Sequence, residues 1–330
     1  SVTGVQTCAL PICLTEATLP ASGDRIYHLS VTAADLSDNI ILVGDPERVP
    51  KAANLLFDQS KPIFRKDHRG LTTMTGYTPE GLRISIVTHG MGTGSAEIII
   101  NEIIALKCID VKTRTPIAAP THPVNIIRVG TSGAIDKDIA LGTAIVAKYT
   151  IGLDNTGLFY DVKQIPKEAN DLEKEITQKL NESIPEGHRF KGKIHPYVSI
   201  PNHLTVEALE QAAKENDLPY KVGITASAAG FFVCQGRYIF KELPATIGSL
   251  EDVLLGVNMD GLKVENFEME MSCITQITQN FKWIRSGGIC TIVDNRQLKT
   301  FTSASDVNVD GILKTAARAL AILDKVPLTN

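Results

Sequence analysis

The stretch that most constrains the fold spans residues 125–142, where a short apolar run is followed at once by a glycine-rich segment. The apolar run carries one charged residue, Arg128, and residues 130–133 read Gly-Thr-Ser-Gly, which leaves no room for a helix. A buried strand that ends in such a turn brings backbone N–H groups close to an anion, and the Arg128 guanidinium would reach the same anion. The alternative is a plain glycine turn with Arg128 in a structural ion pair, and this stretch alone favours neither.

Composition narrows the classes of protein to which the chain can belong. With 330 residues, 43% of them hydrophobic, the chain can bury a large core. A formal net charge of -4 without a basic run argues against nucleic-acid binding, and no apolar stretch is long enough to span a membrane. The six cysteines form no CxxC pair and the seven histidines no HxxxH spacing. We therefore expect no disulfide framework, no metal site and a cytoplasmic location.

Two further strand-to-helix junctions contain glycines. Residues 40–43 predict a strand that leads into Gly44 and then into a helix with Arg48 in its first turn, a second corner suited to an anion. A lone arginine is more often a solvated helix residue, so Arg48 alone decides little. Residues 89–94 read His-Gly-Met-Gly-Thr-Gly between a predicted strand and a predicted helix. This GxGxG spacing differs from the GxGxxG of dinucleotide-binding proteins.

A segment near residue 235 combines aromatic and polar side chains. Phe231 and Phe232 precede Gln235 and Arg237. An aromatic floor beside an amide and a guanidinium suits a flat, polar heterocycle. The alternative places both phenylalanines in the core and the two polar residues on the surface.

Residues 264–273 place two carboxylates, Glu268 and Glu270, among apolar residues. A carboxylate in such a setting must be paired or bound to ligand hydroxyls, because burying it alone is costly. The alternative is that Glu270 simply accepts hydrogen bonds from a helix N-terminus. The segment predicts a helix that runs to about Ile284.

Predicted strands and helices alternate along the chain without a long linker. We therefore expect one α/β domain over residues 14–330, with helices on both faces of the sheet. Residues 63–76 and 82–88 are expected to form a hairpin. Residues 1–13 do not fit the chain that follows, and we expect them to be a non-native or disordered tail.

Taken together, these segments resemble the family of uridine phosphorylases and bacterial-type purine nucleoside phosphorylases. The resemblance is carried by ILVGDPERV, IIRVGTSGAI, FFVCQGR and NFEMEM, with HGMG and IVDNR in support, all in the family's order. It covers the chain from about Arg25 to its end. It implies a three-layer α/β/α fold around a mixed, partly barrel-like central sheet.

The resemblance also assigns roles to individual residues. The implied phosphate ligands are Gly44, Arg48, Arg128 and Thr131, together with Arg69 from a neighbouring subunit. The implied ribose ligands are Met269 and Glu270, together with His28 from across the subunit interface. The implied base ligands are Phe231, Gln235 and Arg237. The catalytic candidates among them are Arg128, Arg237 and Glu270.

The activity implied by the resemblance is reversible phosphorolysis of uridine to uracil and ribose 1-phosphate. Phosphate would be a co-substrate, no cofactor would be needed, and the enzyme would be a homo-oligomer with sites shared between subunits. The Gln235 and Arg237 pair favours a pyrimidine, because purine-cleaving relatives lack it. The alternatives are cleavage of purine or deoxypyrimidine nucleosides, and a non-catalytic nucleoside-binding protein.

Two positions depart from the family pattern. Gly70 stands where bacterial uridine phosphorylases often have a glutamate that helps to hold potassium, so no metal is expected here. Asp294 lies close to the position of the aspartate that protonates the base in the purine branch. The rest of that branch's motif is missing, and we expect Asp294 to be structural or to order its loop.

Overall fold

The structure is a computed structural model that describes residues 14–162, 165–303 and 307–328, so the tail expected over residues 1–13 lies outside the described part. The described residues form seven α-helices and sixteen strands. The helices are α1 (Arg48–Leu56), α2 (Thr93–Cys108), α3 (Lys167–Ser183), α4 (His203–Glu215), α5 (Leu250–Leu255), α6 (Met271–Thr278) and α7 (Val309–Leu323). The first eight strands are β1 (Ala21–Ser22), β2 (Arg25–Ile26), β3 (Asn39–Val43), β4 (Phe64–His68), β5 (Leu71–Tyr77), β6 (Arg83–Thr88), β7 (Ile109–Asp110) and β8 (Thr115–Pro116). The others are β9 (Val124–Ala134), β10 (Ala144–Gly152), β11 (Tyr197–Ser199), β12 (Tyr220–Ser227), β13 (Asn258–Met259), β14 (Leu262–Glu268), β15 (Ile284–Asn295) and β16 (Thr300–Phe301).

One large mixed sheet of twelve strands forms the centre of the molecule. Its order is β13-β14-β12-β10-β15-β9-β3-β6-β5-β4, with β11 paired to β10 and β16 paired to β15. β14 also pairs with β9, so β14, β12, β10, β15 and β9 close on themselves as a ring of five strands. Three pairings in this ring are parallel and two are antiparallel. The predicted mixed, partly barrel-like sheet is therefore confirmed.

Helices cover the sheet in layers, as the alternation of strands and helices predicts. Successive side chains of β3 point to opposite faces, as in any strand. Ile41 and Val43 pack into an apolar cluster with α1, α4 and α7, whereas Ile40 and Leu42 pack into a second cluster with α2 and α6. A third cluster joins α3 and α5 to β12 and β14. Because both faces are covered, β3 is buried at every position and shows no polar alternation.

The glycine-rich residues 130–133 do not form the turn that the sequence predicts. β9 continues through them to Ala134. β15 pairs with this segment in parallel register, with Gly130 opposite Cys290 and Ser132 opposite Ile292. The ladder of backbone hydrogen bonds holds the chain extended, so the expectation of a glycine-rich turn at residues 130–133 was wrong.

Two other boundaries differ from the sequence-based expectation. The predicted hairpin is a meander of β4, β5 and β6, because Arg69 and Gly70 have φ values of +52° and +76° and form a two-residue turn. Val264 to Glu268 belong to β14, and the helix that follows is α6, which ends at Thr278. An apolar run that is buried on both faces does not distinguish a strand from a helix by its periodicity. No helix in the described ranges has the length and apolar character needed to cross a bilayer.

Candidate active site

A cleft of about 470 Å³ brings together most of the candidate residues, although they come from distant parts of the chain. Nine of the eleven predicted site residues line it, and only His28 and Arg69 are absent from its walls. The nine are Gly44, Arg48, Arg128, Thr131, Phe231, Gln235, Arg237, Met269 and Glu270. Its volume is within the range of small-molecule sites.

The cleft lies where the sheet divides. β3 pairs in parallel with β9 only as far as Arg128, which is opposite Leu42. β14 pairs with the same edge of β9 as β3 does, but only from Gly133 onward, where Gly133 is opposite Phe267. Between these points β9 has no pairing with either strand in the described ladders, and this gap opens into the cleft. The position agrees with the rule that ligands bind at the ends of parallel strands where the topology changes.

Arg128 lies at this gap and is held by three neighbours. Its Nη2 donates to Glu270 Oε2 at 2.5 Å, its Nη1 lies 3.1 Å from Glu268 Oε2, and Nη1 also donates to the Cys290 sulfur at 2.7 Å. Burial alone would lower the pKa of Arg128, but the charges of Glu268 and Glu270 raise it, so the guanidinium stays charged. Burial raises the pKa of the Cys290 thiol to about 11, so it remains protonated beside the arginine.

A second arginine and a histidine lie close to Arg128. Burial is the main cause that lowers the pKa of Arg48, and the charge of Arg128 adds to it. His89 is fully buried, and neither of its ring nitrogens has a hydrogen-bond partner in the described structure. Burial, followed by the charge of Arg128, lowers the pKa of His89 to about 3. The imidazole is therefore neutral and adds no positive charge to the two arginines.

Glu270 connects the arginine end of the cleft to the loop before α2. Its Oε1 accepts a hydrogen bond from the backbone N–H of Gly92 at 2.6 Å, while its Oε2 binds Arg128. Glu268 accepts from the backbone N–H groups of Glu270 and Met271 at the start of α6. Burial is the main cause that raises the pKa of Glu268, and Arg128 opposes it. Both carboxylates are thus paired, as their apolar setting requires.

The other end of the cleft contains the aromatic and polar group around Gln235. The Arg237 guanidinium lies over the Phe231 ring, 3.8 Å from its centroid, and its Nη1 donates to Gln235 Oε1 at 2.6 Å. Gln235 is buried, and its Nε2 lies 3.4 Å from the carbonyl oxygen of Glu268. The alternative with both phenylalanines in the core is wrong, since Phe231 and Phe232 are each about half exposed.

Sequence reasoning missed one residue at this end, Arg296. It donates to Asp294 Oδ2 through Nε at 3.1 Å, to Gln235 Oε1 through Nη2 at 3.0 Å, and to Glu251 Oε1 through Nη1 at 3.1 Å. The available signal was its place in IVDNR, directly after the last long strand. Asp294 Oδ2 also accepts from Arg237 Nη2 at 3.2 Å.

His28 and Arg69 lie away from the cleft walls of their own chain. His28 Nδ1 is 2.8 Å from Glu102 Oε1, and Arg69 Nη1 donates to the Tyr27 hydroxyl at 3.3 Å. Arg69 is exposed, although Gly70 beside it lines the cleft. Their predicted roles depend on a second subunit, and these roles stay predictions. Among the described residues, no group of three or more histidine, cysteine or acidic side chains is arranged to hold a metal ion.

Comparison with solved structures identifies the fold. The structure described as that of a Trypanosoma brucei nucleoside phosphorylase that shows uridine phosphorylase activity superposes with a TM-score of 0.81 at 24% sequence identity. The match covers 92% of this chain and 99% of the trypanosome chain. Fold and cleft together define an α/β protein of the nucleoside phosphorylase fold, with a cleft at the gap in a partly closed mixed sheet.

Sequence comparison identifies the family. The chain belongs to the Phosphorylase superfamily, whose sequence model matches residues 38–326. A uridine phosphorylase of Thermococcus kodakarensis is 29% identical over 300 residues, which cover 91% of this chain and 88% of the relative. A DeoD-type purine nucleoside phosphorylase of Vibrio cholerae is 24% identical over 296 residues, which cover 87% of this chain and 95% of the relative. The chain is thus an enzyme, a pentosyltransferase of the nucleoside phosphorylase type, and the alternative of a non-catalytic binding protein is set aside.

Proposed function

We propose that this enzyme catalyses the reversible phosphorolysis of uridine, giving uracil and ribose 1-phosphate. One observation supports this most strongly: a single cleft has an arginine pair at one end and a glutamine–arginine pair at the other, with Glu270 on the wall between them. The first pair suits an inorganic anion and the second a flat polar base. The space between them suits a sugar whose hydroxyls donate to a carboxylate.

Phosphate would bind at the gap in the sheet, against Arg48, Arg128, Gly44 and the Thr131 hydroxyl. Charged donors and backbone N–H groups in a partly buried site hold a dianion without any covalent bond to the protein. Ribose would lie beside Met269 and donate hydroxyl protons to Glu270. Because Glu270 also binds Arg128 directly, the sugar and phosphate subsites share one ion pair.

The reaction transfers a ribosyl group between two nucleophiles. A phosphate oxygen forms a bond to C1′ of the ribose, and the bond from C1′ to N1 of uracil breaks with its electron pair staying on the base. The transition state resembles an oxocarbenium ion, as in glycoside hydrolysis, and the bound phosphate offsets its positive charge. The uracil anion then takes a proton from solvent. Interactions that strengthen as these charges develop accelerate the reaction.

The base end of the cleft favours a pyrimidine leaving group. Arg237 and the Gln235 amide can donate to the carbonyl oxygens of uracil, and a charged donor strengthens as the base becomes anionic. Asp294 Oδ2 accepts hydrogen bonds from Arg237 and Arg296, which supports a role in holding these arginines rather than in protonating a purine. We further propose that the enzyme works as a homo-oligomer in the cytoplasm, with His28 and Arg69 completing a neighbouring site.

The test is an ultraviolet assay of uridine, thymidine and inosine cleavage, each with and without inorganic phosphate. We expect uridine to be cleaved with the highest kcat/KM and only when phosphate is present. Arg128→Ala should lower kcat/KM by on the order of a hundredfold or more, the scale of losing one preorganised donor. Arg237→Ala should abolish most uridine activity while leaving the KM for phosphate nearly unchanged.

A matched control is Arg318→Ala, since Arg318 is an exposed arginine of α7 that pairs with Glu215. Its kcat/KM should equal that of the unaltered enzyme. Near wild-type turnover in Arg128→Ala would contradict the phosphate assignment. A preference for inosine over uridine would instead identify the enzyme as a purine nucleoside phosphorylase. A preference for thymidine would identify it as a deoxypyrimidine nucleoside phosphorylase.

A further inference from the structure

Four side chains at the base end of the cleft form a closed ring of hydrogen bonds. Arg237 and Arg296 both donate to Gln235 Oε1, at 2.6 and 3.0 Å. The same two arginines both donate to Asp294 Oδ2, at 3.2 and 3.1 Å. Each acceptor therefore bridges both guanidinium groups, and the only carboxylate in the ring is that of Asp294.

The fold places Asp294 between the arginines with little freedom. The residue lies near the end of β15, opposite Gly133 of β9 in the ladder. A Cβ on Gly133 would lie 2.6 Å from Asp294 Oδ1, so the close approach of the carboxylate to β9 depends on the missing side chain. Arg296 is fixed further by Glu251 and by the backbone carbonyl of Gln235.

Arg237 is the arginine of the ring that faces the cleft. Arg237 is the more exposed of the two arginines, and it lines the cleft directly whereas Arg296 does not. The two guanidinium groups of Arg237 and Arg296 are both positive and repel each other, and the carboxylates of Asp294 and Glu251 offset this repulsion. If the charge of Asp294 were removed, the repulsion between the two guanidinium groups would be less offset. Arg296 would keep the Glu251 carboxylate, whereas Arg237 would keep the neutral Gln235 side chain and the Phe231 carbonyl, so Arg237 would shift.

We propose that Asp294 is a positioning residue for the leaving base: its carboxylate holds Arg237 where the guanidinium meets the uracil anion. Asp294 does not donate a proton to the base. This inference rests on the proposed function, and it adds to that function a residue which the sequence presents as merely structural. It acts on the reaction through Arg237, at the step in which the C1′–N1 bond breaks.

The chemistry of the leaving group distinguishes this role from a structural one. The base of 5-fluorouridine carries an electron-withdrawing fluorine, so its anion is more stable and needs less help from Arg237. Loss of a well-placed Arg237 should therefore slow uridine cleavage more than 5-fluorouridine cleavage. A general loss of folded protein, or a distorted phosphate site, would slow both substrates equally.

The experiment compares the full-length enzyme with Asp294→Asn, which keeps the shape of the side chain and removes its charge. We expect kcat/KM for uridine to fall by on the order of tenfold to a hundredfold, because the variant leaves the Arg237 donor misplaced. The ratio of kcat/KM for 5-fluorouridine to that for uridine should rise several-fold, and the KM for phosphate should not change. Asp294→Ser, which is smaller and also uncharged, should show the same rise and serves if the asparagine variant does not fold.

Asp171→Asn is the matched control, because Asp171 is an exposed aspartate of α3 that pairs with Lys167. It should leave both rates unchanged. The positioning role also predicts non-additivity: in an Arg237→Gln background, Asp294→Asn should cause little further loss, since residues that act through one another do not add.

An equal loss for both substrates, additive losses in the double variant or unchanged rates in Asp294→Asn would each overturn the positioning role. Absence of phosphate-dependent uracil release by the unaltered enzyme would instead overturn the proposed function. The two failures are therefore distinguishable.

Discussion

His89 is a buried histidine whose surroundings make its protonation costly. Its side chain is shielded from solvent, and Arg48 and Arg128 both oppose a positive charge on it. The pKa falls from 6.5 to about 3. In the unfolded chain the imidazole would regain an ordinary pKa, so between these two values the unfolded state binds more protons than the folded state. The free energy of unfolding must then decrease as the pH falls through this window.

We predict that this loss of stability can be traced to His89 itself. Between about pH 6 and pH 4, the free energy of unfolding should fall by up to about 1.4 kcal/mol for each pH unit through this residue alone. In His89→Gln that part of the slope should be absent, because the amide does not titrate. Urea unfolding at several pH values measures it, with His203→Gln as the control histidine, at the start of α4. Equal slopes in the unaltered protein and His89→Gln would contradict the prediction.

Single residues of the site were predictable from sequence to different degrees. Arg128, Glu270 and Gln235 stand out because each is a polar residue inside or beside an apolar segment, and all three line the cleft. Arg296 and His89 do not stand out, because their surroundings exist only after distant strands have paired. Their importance depends on contacts across the fold, with Gln235 in one case and with Gly44 and the two arginines in the other.

At the scale of the element, β9 combines a structural and a functional task. Its glycines keep the strand extended and at the same time leave space for side chains above it. A Cβ on Gly130 would lie 2.6 Å from Arg128 Nη1 and 2.8 Å from the carbon of the guanidinium. The arginine therefore folds back over its own strand, and Gly130 provides the space it occupies.

Gly130→Ala should displace the guanidinium of Arg128 while the strand stays paired with β15. We expect kcat/KM to fall by on the order of tenfold or more, since a misplaced donor loses most of its contribution. Steady-state assays together with thermal unfolding measure the two effects. Gly94→Ala in the first turn of α2 is the control: nothing lies within 4 Å of a Cβ there, and activity should be preserved. If Gly130→Ala retained full activity, the packing of Arg128 over Gly130 would not matter for catalysis.

Helices and strands were predictable where the spacing of apolar residues was regular or where glycine or proline marked their ends. The spacing of apolar residues predicts helices over residues 168–181 and 204–216, which agree with α3 and α4 to within one or two residues at their ends. A strand predicted over Tyr220–Ser227 coincides with β12. The continuation of β9 through residues 130–133 was not predictable, since local glycines favour a turn and only the ladder to β15 overrides them. The closure of the sheet through β14 and β9 likewise depends on strands far apart in sequence.

At the scale of the whole molecule, the proposed sharing of Arg69 between subunits would make the surface around Arg69 a subunit contact. Arg69 is exposed at the turn between β4 and β5, and its side chain lies over the Tyr27 ring. The neighbouring Gly70 already lines the cleft of the same chain. If subunits exchange Arg69, a site with a defect in one chain can be completed by the intact arginine of another chain.

Subunit mixing tests this exchange. Arg69→Ala and Arg128→Ala should each be nearly inactive alone, but the two co-expressed chains should recover activity, because one site of each mixed pair is intact. For a two-fold symmetric dimer with random pairing we expect about one quarter of the wild-type activity. Arg318→Ala co-expressed with Arg128→Ala is the control for mixing: every Arg318→Ala chain keeps an intact site, so about half of the wild-type activity is expected whether or not sites are shared. No recovery beyond the separate variants would contradict a shared site.

The gap between β3 and β9 also means that hydrogen exchange of the β9 backbone can detect a bound ligand. Between Arg128 and Gly133, the β9 amide hydrogens that face away from β15 point into the cleft. Such hydrogens exchange readily with heavy water unless something covers them. Inorganic phosphate alone should slow deuterium uptake in the peptide that contains Arg128 to Gly133, even in an inactive variant. This measurement would locate the anion-binding site without any turnover.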